Sequence, residues 1–243
     1  YSFRAVSCFN MLNKAFSIAQ QNIIQQMIQH KNKSITIKLM ALPAMAHVQV
    51  NELENISKTE AAWIYLVLGF KHILPLGLDH ILFVLSLFLL SPKLKPILTQ
   101  SIAFTIAHSV TLGLAMYQIV TPPSKIIEVL IALSIIYVAA ENIFSSKLKA
   151  SRIGIVFFFG LVHGLGFAGA LSEMGLPKNS YLTSLITFNV GVELGQVTVI
   201  LVAWFLLAKW FANKSYYRSR VVIPLSCVII AIAGFWTIER MFF

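Results

Sequence analysis

Six apolar stretches follow one another between residues 61 and 240, separated only by short polar loops. A bilayer's hydrocarbon core is ~30 Å thick, and a helix rising about 1.5 Å per residue crosses it with about 20 residues. Inside that core every backbone N–H and C=O needs an internal partner, which leaves helices and closed barrels. The runs are too long for barrel strands and do not alternate apolar with polar residues, so the barrel is excluded. The predicted fold is an all-α, polytopic membrane bundle of about six transmembrane helices. The spans lie at about 61–90, 97–117, 125–145, 152–173, 181–208 and 220–240. A chain that is 58% hydrophobic and 12% charged, with a mean hydropathy of +0.79, has too little polar surface for a soluble domain.

The net charge of +10 does not point to nucleic acid, because the basic residues sit in the loops between apolar runs. Loop charge sets the orientation of a membrane protein. The loops after the first, third and fifth spans carry Lys93, Lys95, Lys147, Lys149, Arg152, Lys209, Lys214, Arg218 and Arg220. The opposite side has Lys125, Lys178 and Arg240. Nine against three assigns the odd loops to the cytoplasm and both ends of the bundle to the outside. Cys8 and Cys227 are far apart in this layout, so neither a disulfide framework nor a thiolate metal cage is expected.

The first span is long for one helix, and Pro75 followed by Gly77 interrupts it. Proline removes a backbone donor and clashes with the preceding turn, so a break near residues 74–77 is predicted. Residues 1–58 form an N-terminal extension, with the bundle occupying 59–243. Its cationic His30–Lys33, weak apolar run Ile35–Leu42 and Ala44-Met45-Ala46 resemble a signal peptide with its cleavage site, which would remove residues 1–46.

Three of the six histidines lie deep in the spans. His80 precedes the Ser91–Lys95 loop by about eleven residues, His108 follows it by about as many, and His163 stands similarly beyond Arg152. All three are thus ~16 Å from one membrane face, at mid-depth. Ionisable groups at that depth face a bundle interior or a wet cavity, so three at one level predict a shared site. Asp79 beside His80 points about 100° away on a helix and is expected either to ligate a cation or to orient an imidazole. His72, beyond the proline, is expected as an outer relay.

Other polar residues follow helical spacing. Ser101, Thr105, His108 and Ser109 share one face of the second span, and Asn189, Glu193 and Gln196 form a stripe on the fifth. Ser and Thr in membrane helices also bond their own i−4 carbonyls, a purely structural habit. Gly160 with Gly164, and Gly191 with Gly195, have the four-residue spacing that lets helix backbones approach closely. The expectation is that they bring His163 towards the fifth span. Glu141 and Asn142 lie near the inner end and are expected to face the cytoplasm.

Imidazoles with carboxylates and no thiolate suit Ni²⁺, Zn²⁺, Co²⁺ or Fe²⁺ better than Cu(I). The expected metal ligands are Asp79, His80, His108, His163 and Glu193, supported by His72, Ser109, Asn189 and Gln196. Three chemistries fit this set. One is transport of a divalent transition metal ion, with uptake weakening as pH falls through the histidine range near ~6.5. The second is an intramembrane metal-dependent hydrolase, in which a metal-bound water is activated. The third is a b-type haem protein with axial histidines.

The segments Gly77-Leu78-Asp79-His80-Ile81-Leu82-Phe83, Phe104-Thr105-Ile106-Ala107-His108-Ser109, Phe159-Gly160-Leu161-Val162-His163-Gly164-Leu165-Gly166-Phe167-Ala168 and Phe188-Asn189-Val190-Gly191-Val192-Glu193-Leu194-Gly195-Gln196 together resemble the HupE/UreJ family, most closely its second branch. These membrane proteins are associated with hydrogenase and urease operons and are regarded as nickel permeases or accessory proteins. The resemblance implies a bacterial cytoplasmic (inner) membrane location, nickel as the leading cargo, and metalloenzyme maturation proteins as partners. His72, Asp79 and His80 resemble the histidine and Asp-His motif of the nickel-transporting branch, with a slightly longer gap. In the region of that branch's second motif, Gly160 and Gly166 stand where a histidine and a glutamate are expected. Glu193 is the candidate to supply the missing carboxylate from a neighbouring helix.

Overall fold

The computed structural model describes residues 57–145, 147–174 and 180–242, and every element among them is helical. The expected extension and its signal-like segment lie outside the described residues. The helices are α1 (Lys58–Ile73), α2 (Leu78–Leu90), α3 (Leu94–Met116), α4 (Ser124–Phe144), α5 (Ser151–Met174), α6 (Tyr181–Phe211) and α7 (Arg218–Phe242). α6 and α7 each include a π-helical stretch, at Trp204–Ala208 and Arg218–Val222. Five helices are individually long and apolar enough to cross a membrane, and α1 with α2 makes a sixth, broken span. This is the polytopic all-α bundle that the sequence predicts.

Local chemistry accounts for the break. α1 begins in a capping box: the Ser57 side chain accepts from the Glu60 backbone N–H, and the Glu60 carboxylate accepts from the Ser57 N–H. It ends where Leu74 N–H makes a last bond to Phe70 O, just before Pro75, which has no donor. The Leu74–Pro75 peptide is cis. The two arms meet at 66°. Gly77 opens α2, and a Cβ there would run into the His72 carbonyl oxygen, so the tight return of the chain requires glycine.

The bundle has an apolar core into which its polar side chains are also drawn, and its outer surface is apolar as well. On α3, Ile102, Ile106 and Val110 form an exposed stripe, whereas Ser101, Thr105 and His108 are buried. On α6, Leu182, Ile186, Val190 and Leu194 face outward, and Asn189 and Gln196 face inward. Apolar stripes at i, i+4 on the outside are the surface that lipid covers. The chain is therefore a multi-pass membrane protein.

Helices pack most extensively in the pairs α1–α6, α3–α5 and α4–α7. Glycines fix the first two, and here the sequence expectation needs correcting. Gly160 and Gly164 lie against the Phe104 and His108 carbonyls of α3, not against α6. Gly191 lies against Leu66 O and Phe70 N of α1, and Gly195 against Ile73. Equal glycine spacing marks a close-packing face but says nothing of which partner fills it.

A second correction concerns the end of the bundle that carries the basic loops. Glu141 and Asn142 do not simply face outward. Arg152 is 1% exposed and pairs with the Glu141 carboxylate at 3.0 Å, while Asn142 Nδ2 donates to Ser86 O at 2.8 Å. Arg218 completes that end, donating to Ser145 O and Ile143 O at 2.8 Å each and so capping the last carbonyls of α4.

Candidate metal centre

Four imidazoles from four helices converge inside the bundle. His72 ends α1, His80 stands in the first turn of α2, His108 lies beyond the middle of α3, and His163 lies midway along α5. Their exposures are 5%, 6%, 0% and 1%. Each position follows from features already given. The proline break turns α2 back so that His80 meets His72, with ring centroids 4.8 Å apart. The glycine contacts bring α5 onto α3, and His163 comes to 5.1 Å from His80. His108 is 5.8 Å from His80 and 6.5 Å from His72.

One nitrogen each from His72, His80 and His108 lies within 4.8 Å of the others. An ion held at ~2.1 Å by each needs them within ~4.2 Å of one another, a little closer than this. Phenylalanines wall the group. Phe167 lies 3.9 Å from the His72 ring and stacks on Phe188 at 5.1 Å, and Phe104 meets His163 at 4.9 Å.

Hydrogen bonds choose which nitrogen the His108 and His163 rings present. Asn189 Nδ2 donates to Leu185 O at 2.8 Å, which leaves its Oδ1 to accept from His108 Nδ1 at 3.3 Å. The proton on His108 is thereby held at Nδ1, and Nε2 keeps its lone pair with no hydrogen-bond partner among the described residues. His163 is set in the opposite sense. Ser134 Oγ gives its hydrogen to Ile131 O at 2.7 Å, so it accepts from His163 Nε2 at 3.0 Å and leaves Nδ1 bare. Metal-binding histidines are oriented by their second nitrogen in this way.

The carboxylates stand elsewhere. Asp79 points away from the rings and pairs with Arg240 of α7 at 2.9 Å. Arg240 also donates to Glu128 O of α4 at 2.9 Å. Glu193 is held by the Thr105 and Ser101 hydroxyls of α3, and Gln196 Oε1 accepts from Ser101 at 2.7 Å. Ser109 bonds back to Thr105 O at 2.6 Å, the structural habit of hydroxyls in membrane helices. His72, expected as a relay, is one of the converging three.

Sequence reasoning missed two contributors. Ser134 lies ten residues before the end of α4, so the depth count applied to the histidines would have found it. Arg240 is the basic residue of α7's last turn, and a deep carboxylate such as Asp79 calls for one.

The family model described as HupE / UreJ protein matches residues 47–240, which contain every residue of this centre. The chain belongs to the HupE/UreJ family. No curated protein and no solved structure matches it. Within this HupE/UreJ protein, the matched region runs from before α1 almost to the end of α7, so the bundle is the family's unit and not a local motif.

Proposed function

We propose that this HupE/UreJ protein carries a divalent transition metal ion across a bacterial inner membrane through the histidine centre, with nickel the leading cargo. One observation carries the reading: His72, His80 and His108 converge within the bundle, and the bonds to Asn189 and Ser134 leave one bare nitrogen each on His108 and His163 beside them. Burying the bare nitrogens of His80, His108 and His163 is costly unless a ligand completes them. A nitrogen-rich set without thiolate suits Ni²⁺, Co²⁺ or Zn²⁺. Transport is favoured over hydrolysis because Asp79 and Glu193, the acids a hydrolase would use for proton transfer, are engaged by Arg240 and by hydroxyls away from the rings. The orientation with both bundle ends outside, and a hand-over to metalloenzyme maturation proteins, belong to the same proposal.

The test is uptake of radioactive nickel into proteoliposomes that contain the full chain. Wild-type protein is expected to accumulate nickel, and His80→Ala to lose that uptake. Equal uptake by the two proteins defeats the pathway. A Soret band or a tightly held stoichiometric zinc would redirect the reading to haem or hydrolysis.

A further inference from the structure

The polar contacts between α3 and α6 do not end at the histidine centre. His108 meets Asn189, Thr105 meets Glu193, and Ser101 meets Gln196, at sequence separations of 81, 88 and 95, with Ser101 also reaching Glu193 at a separation of 92. In an antiparallel pair, a step of seven corresponds to about one turn on each helix, so these are successive rungs of one ladder. It leaves the centre at His108 and descends ~10 Å towards the end with the basic loops, since Ser101 is seven residues along α3.

The lowest rungs hold more acceptors than hydrogens. Ser101 has one hydroxyl hydrogen and two acceptor oxygens in reach, Glu193 Oε1 at 3.1 Å and Gln196 Oε1 at 2.7 Å. Thr105 supplies one more, to Glu193 Oε2. With the Gln196 amide in this orientation, three acceptor oxygens share two hydroxyl hydrogens while the hydrogens on its Nε2 stay unused. Gln196 is fully buried, and its Nε2 has no hydrogen-bond partner among the described residues. With its amide atoms exchanged, Nε2 donates to Ser101, Ser101 gives its hydrogen to Glu193, and Gln196 Oε1 becomes the buried atom without a partner. No ion pair is formed by Glu193 among the described residues. A carboxylate with no ion pair of its own, lined by hydroxyl and amide groups inside the bundle, attracts a cation.

We propose that Glu193, Ser101 and Gln196 form a second cation station, made of oxygen donors, that takes the metal ion from the histidines and passes it towards the basic-loop end. The inference rests on the transport reading above. Oxygen donors hold first-row divalent ions less tightly than imidazole does, so the order nitrogen then oxygen is a descent in affinity along the path. Glu193 is then a ligand of the release station, separate from the histidine centre.

The experiment uses the full chain with Ni²⁺ as the probe, titrated calorimetrically in detergent and followed as uptake into proteoliposomes. Glu193→Gln keeps the side-chain shape and removes the charge. It is expected to keep wild-type affinity at the histidines while uptake falls by at least ~tenfold, as for an ionisable residue on an ion path. Gln196→Leu, which leaves Glu193 in place, is expected to show the same split and stands in if Glu193→Gln does not fold. Wild-type uptake in whichever of these variants folds overturns the station. Loss of binding together with uptake also overturns it, by merging Glu193 with the histidine centre. If wild-type protein itself neither binds nor transports nickel, the transport reading fails and the station with it.

Discussion

Asp79 and Arg240 form an ion pair at 2.9 Å that joins the first turn of α2 to the last turn of α7, one residue from the histidine centre. Arg240 is 7% exposed at its side chain and Asp79 28%. Replacing the arginine with methionine leaves the carboxylate without this partner, and a loss on the order of 2–3 kcal/mol is expected, reduced by the exposure of Asp79. In a double-mutant cycle, Asp79→Asn with Arg240→Met should lose clearly less than the two single losses added together. Thermal unfolding in detergent reads this, and simple additivity rules out the coupling.

Asn189 should matter to metal affinity without touching the metal. Asn189→Leu removes the acceptor that holds the His108 proton at Nδ1, and nickel affinity should fall ~10–100-fold. Asn189→Asp restores an acceptor and should recover most of it. Ser134→Ala acts on His163 by the same route. Calorimetric titration of all three separates orientation from ligation, and an unchanged affinity in Asn189→Leu removes the orienting role.

The glycines fall into two classes. A Cβ at Gly69 or Gly191 would enter the backbone of the facing helix, at Phe188 O and Leu66 O respectively. Gly191→Ala should therefore destabilise the protein by ~1–3 kcal/mol. At Gly154 and Gly234 nothing lies within 4 Å of an added Cβ, so alanine there should cost nothing. Comparing melting temperatures of Gly191→Ala and Gly234→Ala decides the matter, and equal values contradict the close approach of α1 and α6.

Arg152 holds the basic-loop end together. Arg152→Met breaks the pair with Glu141, leaves a partly buried carboxylate unmatched, and should cost ~3 kcal/mol. Arg152→Lys keeps the charge but loses the planar fork that reaches Glu141 and Asn142 together, so it should rescue only in part. A lysine variant as stable as wild type would show that charge alone suffices.

Much of this was legible in the sequence because membrane helices obey one-dimensional rules. Span length follows from bilayer thickness, the break follows from Pro75, and counting residues from the loops put His80, His108 and His163 at one depth. Depth, however, is not direction. Asp79 is adjacent to His80 in the chain, yet the turn between them sends the carboxylate to α7 and the ring to the centre. Glu193 shares a stripe with Asn189, and one turn separates an orienting amide from an oxygen knot. Arg152 counts as loop charge in a topology argument and is nevertheless buried, because its long stem reaches back to Glu141. Which helix a glycine face meets is a three-dimensional choice that spacing leaves open.

The break at residues 74–77 gives the centre a mechanical property. His72 and His80 sit on opposite arms of the 66° bend, α1 being seated on α6 and α2 on both α4 and α6. The gap between these two rings is therefore governed by an angle at an elbow, and not by the pitch of a single rod. An unbroken helix would hold its ligands like teeth on a fixed rail; this one holds them like the tips of tweezers.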